Sequence, residues 1–409
     1  MRFLILLISL TTILLACSTK QKLSETDLKV KAQKLAQQNI IVDGHIDLPY
    51  RLKVRNFRLE KEYVGIPVAT EEGDFDFVRA REGGLDAPFM SIYIPARYQK
   101  DGGAKNLADS LINMVEYIAN ENADKFVIAK TPAEVEKAYA QGKLALPMGM
   151  ENGAGIEDDL SNVEYFDKRG ISYITLTHSK DNLICDSSYD TVRTWNGLSE
   201  FGRSVVKEMN RVGIMVDISH VSDSAFYDVL EMVVLPVIAS HSSARKFVPG
   251  FERNMSDQMI KDLGKNGGVI MVNFGSTFVD GNIRKERDKR REEIATLLEG
   301  KGLEWNSDEG KAFMKEYEKT HPNIYSDVKK VADHIDLIVE LAGIDHVGFG
   351  SDYDGVGDSL PTGLKDVSDY PNLIEELLRR GYTEEDISKI CYKNLFRVWN
   401  EVEEYAKSL

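Results

Sequence analysis

In IIVDGHIDLPY, residues 40–50, an apolar run ends in His45 and Asp47, two positions apart. In an extended chain such residues share a face, so this pair is either a hydrogen-bonded structural couple or two ligands for one ion. Apolar segments of strand length recur along the chain as NIIVDG, APFMSIYI, LALPMGM, ISYITLT, GIMVDIS, PVIAS, GVIMVNF and HVGFGS. Their C-terminal ends share a chemistry. The first ends in His45 and Asp47, the third in Glu151, the fourth in His178, the fifth in His220, the sixth in His241 and the eighth in Asp352. A lone histidine beside an apolar segment usually reads as a satisfied core residue, but four of the seven histidines fall at such ends. His346 precedes the eighth segment and belongs at the opposite end, and His321 and His334 lie in or near helical sequence; all three read as structural.

Imidazole nitrogens and carboxylate oxygens without a thiolate suit zinc, with manganese or cobalt as alternatives, and leave open positions for catalysis. Three histidine ligands and two carboxylates exceed one tetrahedral catalytic zinc. They suit two metals sharing a carboxylate, an arrangement that activates water and polarises a carbonyl for hydrolysis of amides or esters.

The elements that would carry these residues alternate in type. LSEFGRSVVKEMNRVG places Leu198, Phe201, Val205, Met209 and Val212 on one helical stripe, and SDQMIKDLGKNGG opens on a Ser256 cap and stops at glycines. TEEDISKICYKNLFRVW opens on a Thr383–Asp386 capping box, with Ile387, Ile390 and Trp399 on its apolar side. Apolar strands alternating with amphipathic helices imply a parallel sheet buried on both faces, and eight strands predict an α/β fold closed as a (β/α)8 TIM-like barrel; a doubly wound sheet is the rival. Residues 37–409 form one catalytic domain, interrupted at about 276–325 by a charged insertion read as a helical, solvated excursion that could also serve as a lid or dimer contact.

The N-terminus has a different character. MRFLILLISLTTILLACSTK reads as an export signal, and Leu14-Leu15-Ala16-Cys17 resembles a bacterial lipobox. Residues 1–16 would then be a signal peptide, and 17–36 a lipidated Cys17, a polar tether and a helix capped by Ser24. This places the chain in the bacterial cell envelope, outside the cytoplasm and held to the membrane by lipid; Ser18 favours an outer membrane where two exist. Cys185 and Cys391 make no disulfide framework. A net charge of −15 disfavours nucleic acid as a partner.

DGHIDLP, GMENG, YITLTHS, GLSEFGRSVVKEMNRVGIMVDISHVS, SHSSAR, GGVIMVNF and GFGSDYDGV together resemble the membrane (renal) dipeptidase family, zinc peptidases with an amidohydrolase-like barrel. The resemblance runs through nearly the whole mature chain. It implies that His45 and Asp47 bind one Zn2+, His220 and His241 a second, and that Glu151 bridges them. It further implies that His178 polarises the substrate carbonyl, that Arg253 holds the free carboxylate of a dipeptide, and that Asp352 takes a proton from water and delivers it to the leaving amine. Gly275 stands where the family commonly has an aromatic residue after VNF, and KDNLICDSSYD lacks an expected Trp; both put substrate side-chain preference in question and spare the ligands. The expected function is an exported dipeptidase tolerant of a D-residue at the C-terminal position. A binuclear hydrolase acting on N-acyl amino acids, lactones or β-lactams is the alternative. A peptide-binding lipoprotein without turnover is disfavoured, because no ligand or acid/base residue is missing.

Overall fold

The computed structural model describes residues 24–54 and 68–409, so Cys17 and the leader lie outside the described residues. Among the described residues there are ten strands: β1 (Ile41–Ile46), β2 (Leu85–Tyr93), β3 (Phe126–Ile128), β4 (Leu144–Leu146), β5 (Met148–Glu151), β6 (Ile171–Thr175), β7 (Met215–Asp217), β8 (Ile238–Ser242), β9 (Val269–Val272) and β10 (Val347–Phe349). Eight close a parallel barrel in the order β1-β10-β9-β8-β7-β6-β5-β2, which is the (β/α)8 architecture. These eight correspond to the eight apolar segments, with one refinement. LALPMGM is two strands: Pro147 donates no hydrogen bond and separates β4, which pairs with β3 outside the barrel, from β5 inside it.

The connecting helices begin and end where their caps demand. Ser199 and Ser256 accept from the backbone N–H three residues on, and Gly213 and Gly267 take the left-handed conformation that ends the same helices. Leu198 departs from the expected stripe because it precedes the Ser199 cap; the buried face of that helix is carried by Val205, Val206 and Met209. Thr383 and Asp386 form the capping box, and Ile387, Ile390 and Trp399 are buried beneath it. Ser24 likewise caps Glu25–Gln38 through a box with Asp27.

Two glycines let the barrel interior close around the site. A Cβ at Gly149 in β5 would collide with the Tyr173 ring, which crosses that strand. A Cβ at Gly44 in β1 would collide with the Ser240 carbonyl oxygen of β8. Glycine supplies the close approach in both cases.

After β9 the chain leaves the barrel through helices Ser276–Val279, Gly281–Gly300 and Asp308–Thr320. The last two share a small apolar cluster of Ile294, Leu298 and Tyr317. His321 ends this excursion, stacked on Tyr317 with ring centroids 4.0 Å apart. His346 bonds the Gly268 carbonyl at 2.7 Å, where β9 begins and far from the strand ends.

His334 is fully buried on helix Val328–Ala342. It accepts from the Ala244 N–H at 2.9 Å through Nδ1, and its Nε2–H donates to the Val279 carbonyl at 3.0 Å, tying the loop after β8 to the insertion. Burial holds the imidazole neutral, pushing its pKa down to about 4. A folded-state pKa below the unfolded value of roughly 6.5 gives stability that is present above pH 6.5 and lost as pH falls toward 4, on the order of 3 kcal/mol. Denaturant titrations across that range should give a wild-type curve that drops with acid more steeply than that of His334→Gln, which should be the less stable protein at pH 7. Parallel curves would show that His334 does not titrate on unfolding.

Candidate active site

The strand ends converge on one carboxylate. Glu151, the last residue of β5, places Oε1 3.0 Å from His220 Nε2, 3.2 Å from His241 Nε2 and 3.6 Å from His178 Nε2. Its Oε2 lies 3.5 Å from His45 Nε2, which in turn lies 3.4 Å from Asp47 Oδ2. His45 sits in β1 and His241 in β8, their rings stacked 3.8 Å apart, while His178, His220 and Asp352 each stand three residues beyond β6, β7 and β10. Thus all five sequence-nominated ligands, together with His178 and Asp352, meet at one mouth of the barrel. His220 and Asp352 reach it with left-handed backbones, φ 69° and 63°, a strained choice for non-glycine residues that concentrates at functional sites.

The hydrogen-bond network assigns the tautomers. The Tyr173 hydroxyl donates to the Gly44 carbonyl at 2.9 Å, so the contact of 2.9 Å with His45 must be donated by His45 Nδ1–H. The Ser240 hydroxyl donates to Asp217 at 2.6 Å, so the 2.8 Å contact with His241 must be donated by His241 Nδ1–H. Both rings therefore turn the Nε2 lone pair toward Glu151. Among the described residues His45 Nε2 and Asp47 Oδ1 are buried without a hydrogen-bond partner, and His220 Nε2 approaches His241 Nε2 to 2.9 Å. Lone pairs and carboxylate oxygens crowded in a buried space call for cations. His45, Glu151 and His241 offer donor atoms within 4.8 Å of one another, as do Glu151, His178 and His220, and also His45, Asp47 and Asp352. The donor set fits metal ions.

Protonation follows from the same crowding. Burial pushes His220 and His241 well down, which keeps them neutral. Burial, reinforced by Asp47, pushes Asp352 up to about 8, and bound cations would draw it back down. Asp352 also accepts from Asn273 Nδ2 at 2.7 Å, and the Gly275 N–H donates to Asn273 Oδ1 at 2.8 Å, which orients that amide. Gly275 is thus a neighbour of the reacting carboxyl: a Cβ there would meet Phe278 at 2.9 Å and Asn273 at 3.2 Å.

Arg253 is buried beside the cluster, donating to Ser242 Oγ at 2.7 Å and the His241 carbonyl at 2.6 Å, with Nε unpartnered among the described residues. Asp354 stays apart from the ligand cluster. It accepts from the Asp74 N–H at 2.7 Å, while its own N–H donates to Asp74 at 2.8 Å, pinning the loop that carries Asp352. NGAG at 152–155 forms part of a short 3-10 turn opened by Asn152.

Four residues that the sequence does not nominate position the site: Asp43, Tyr173, Asp217 and Asn273. Asp43 accepts from the His45 and Ser351 N–H groups and from Tyr370 at 2.5 Å, locking β1 to the Asp352 loop. Asp217 accepts from Ser219 and Ser240 N–H groups and the Thr175 and Ser240 hydroxyls, fixing the ends from which His220 and His241 project. The available signal was a carboxylate inside each apolar strand, VDG and MVD, which burial permits only when it is fully partnered.

Among solved structures, the probable dipeptidase PvdM from Pseudomonas aeruginosa has the same fold, with 24% identity, coverage of 93% of this chain and 100% of that one, and a TM-score of 0.77. A metallo peptidase from Rhodobacter sphaeroides, liganded with a phosphinate mimic of the dipeptide L-Ala-D-Ala, matches at 25% identity over 89% of this chain and 99% of that one, with a TM-score of 0.71. An amidohydrolase from Pseudomonas aeruginosa matches at 23% identity over 91% and 99%, with a TM-score of 0.69. The sequence model of the membrane dipeptidases (peptidase family M19) matches residues 29–409, and with strand ends whose donor set fits metal this chain belongs to that family of metallo-dipeptidases.

Proposed function

We propose that this metallo-dipeptidase is an exported, lipid-anchored enzyme that uses two Zn2+ ions to hydrolyse dipeptides and accepts a D-residue at the C-terminal position. The observation carrying the site assignment is the convergence of His45, His220 and His241 nitrogens on the two oxygens of Glu151. His45 and Asp47 would hold one ion, His220 and His241 the other, with Glu151 shared. When bound, such a pair supplies Lewis-acid polarisation of the scissile carbonyl and activation of water.

The chain's own groups divide the remaining work. Arg253 sits beneath the mouth with its guanidinium oriented by Ser242 and the His241 carbonyl, and it would supply positive charge for the free C-terminal carboxylate. His178, one-fifth exposed and 3.6 Å from Glu151, faces the space where the carbonyl oxygen would develop charge and would donate to it. Burial lowers the His178 pKa, and Tyr93 OH stands 3.4 Å from its Nδ1 to steer the ring. Asp352 would take the proton of the attacking water and deliver it to the leaving amine nitrogen, held in line by Asn273. Export and lipidation at Cys17 rest on the leader sequence alone. Tolerance of a D-residue draws support from the Rhodobacter sphaeroides relative, whose bound ligand mimics L-Ala-D-Ala.

Two measurements test this reading. Zinc-loaded mature protein should cleave both Gly-L-Ala and Gly-D-Ala; cleavage of lactones or N-acyl amino acids with no dipeptide turned over would move the assignment to another bond. Asp352→Asn should retain its metal while kcat falls about a hundredfold or more, the usual weight of general acid–base catalysis. Undiminished turnover would remove Asp352 from the mechanism.

A further inference from the structure

The mouth opens into a cavity of about 1260 Å³, larger than the roughly 300–1,000 Å³ that holds a drug-sized ligand. One side is the catalytic cluster, and the other is the insertion helix Gly281–Gly300. In sequence this helix reads as a solvated mixture of charges, RKERDKRREE, but the fold sorts them. Arg284, Arg287 and Arg291 recur at i, i+3 and i+7, a face that lines the cavity, with Arg284 and Arg287 half-buried and Arg291 exposed, and that continues into buried Ile294 and Leu298. Lys285, Lys289, Glu292 and Glu293 are exposed on the opposite side of the helix and take no part in the cavity lining.

The arginines that line the cavity are only partly compensated. Arg284 lies 3.8 Å from the exposed Asp288 and stacks over Phe251 at 3.6 Å. Arg290 is held by neutral acceptors, Asn323 Oδ1 and the Pro322 carbonyl, both at 3.0 Å. Arg287 and Arg291 make no ion pair within 4.0 Å among the described residues. The acids lining this side are Asp288, Glu318 and Asp358; Asp358 accepts from Tyr325 and Asn323 at 2.7 Å and also feels the Arg287 charge beyond ion-pair distance. A guanidinium-rich wall in a chain of net charge −15 is a local feature of this cavity, opposite in sign to the molecule as a whole.

Resting on the dipeptidase reading, we propose that this wall is an anion subsite, centred on Arg287 and Arg291, which selects dipeptides bearing an acidic side chain. Guanidinium groups pair with carboxylates through forked, charge-assisted hydrogen bonds, and a neutral amide of the same shape forfeits the charge.

The test compares matched pairs: Gly-L-Glu with Gly-L-Gln, and L-Glu-Gly with L-Gln-Gly. The zinc-loaded wild type should show kcat/KM at least about tenfold higher for the acid in one pair, narrowing as salt is raised. Arg287→Gln/Arg291→Gln should bring that ratio to within about twofold of unity, a comparison that does not depend on the fraction folded. Lys285→Gln/Lys289→Gln makes the same charge change on the outer face and should leave the ratio intact. A ratio near one in wild type for both pairs, a ratio that survives in the arginine variant, or an equal collapse in the lysine variant would each overturn the subsite. Calorimetric binding of the same dipeptides to Asp352→Asn separates the two readings. Preferential binding of the acid without wild-type turnover of any dipeptide would sink the dipeptidase assignment and keep the subsite. Hydrolysis with neither a kinetic nor a binding preference would do the reverse.

Discussion

A carboxylate almost wholly removed from water at the end of β5 is the constraint around which this protein is built. Glu151 cannot be accommodated in an apolar barrel unless positive charge or donors surround it. The surrounding groups arrive from different strands: His45 from β1, His178, His220 and His241 from beyond β6, β7 and within β8. Because the tautomers of His45 and His241 direct lone pairs inward, those rings do not solvate the carboxylate as donors. Cations complete the balance, so the demand for metal is written into the hydrogen bonds one layer out, through Tyr173 and Asp217.

That outer layer explains several choices that look unrelated. Gly149 is small because Tyr173 must cross β5 to reach His45. Asp43 within β1 and Asp217 at the end of β7 are buried acids because backbone N–H groups beside them need acceptors where the ladder does not supply one. Gly275 and Asn273 transmit the β9 end to Asp352. The barrel thus fixes its chemistry through short polar bridges between neighbouring strand ends, which keeps each reacting group from depending on a single flexible loop.

Much of this is legible in the sequence. The eight barrel strands follow from apolar runs because a parallel sheet buried on both faces leaves little alternation to misread, and residues after those runs must collect at one end. The LALPMGM segment is less legible, since only Pro147 marks the passage from an outer pair of strands to the barrel. Asp43 and Tyr173 cannot be assigned work from sequence, because their partners lie far along the chain, Asp43 with Tyr370 and Tyr173 with His45. The insertion is the most opaque element. Alternating charges look alike whether they face water or a cavity, and only the helical phase relative to Ile294 and Leu298 separates the two.

If Glu151 holds the metal centre together, elemental analysis of zinc-loaded wild type beside Glu151→Gln will show it. The substitution keeps size and removes charge. Wild type should carry about two zinc ions per chain and the variant fewer than one, with both proteins folded by circular dichroism. Wild-type metal content in Glu151→Gln, or no metal in the wild type after loading, would contradict it.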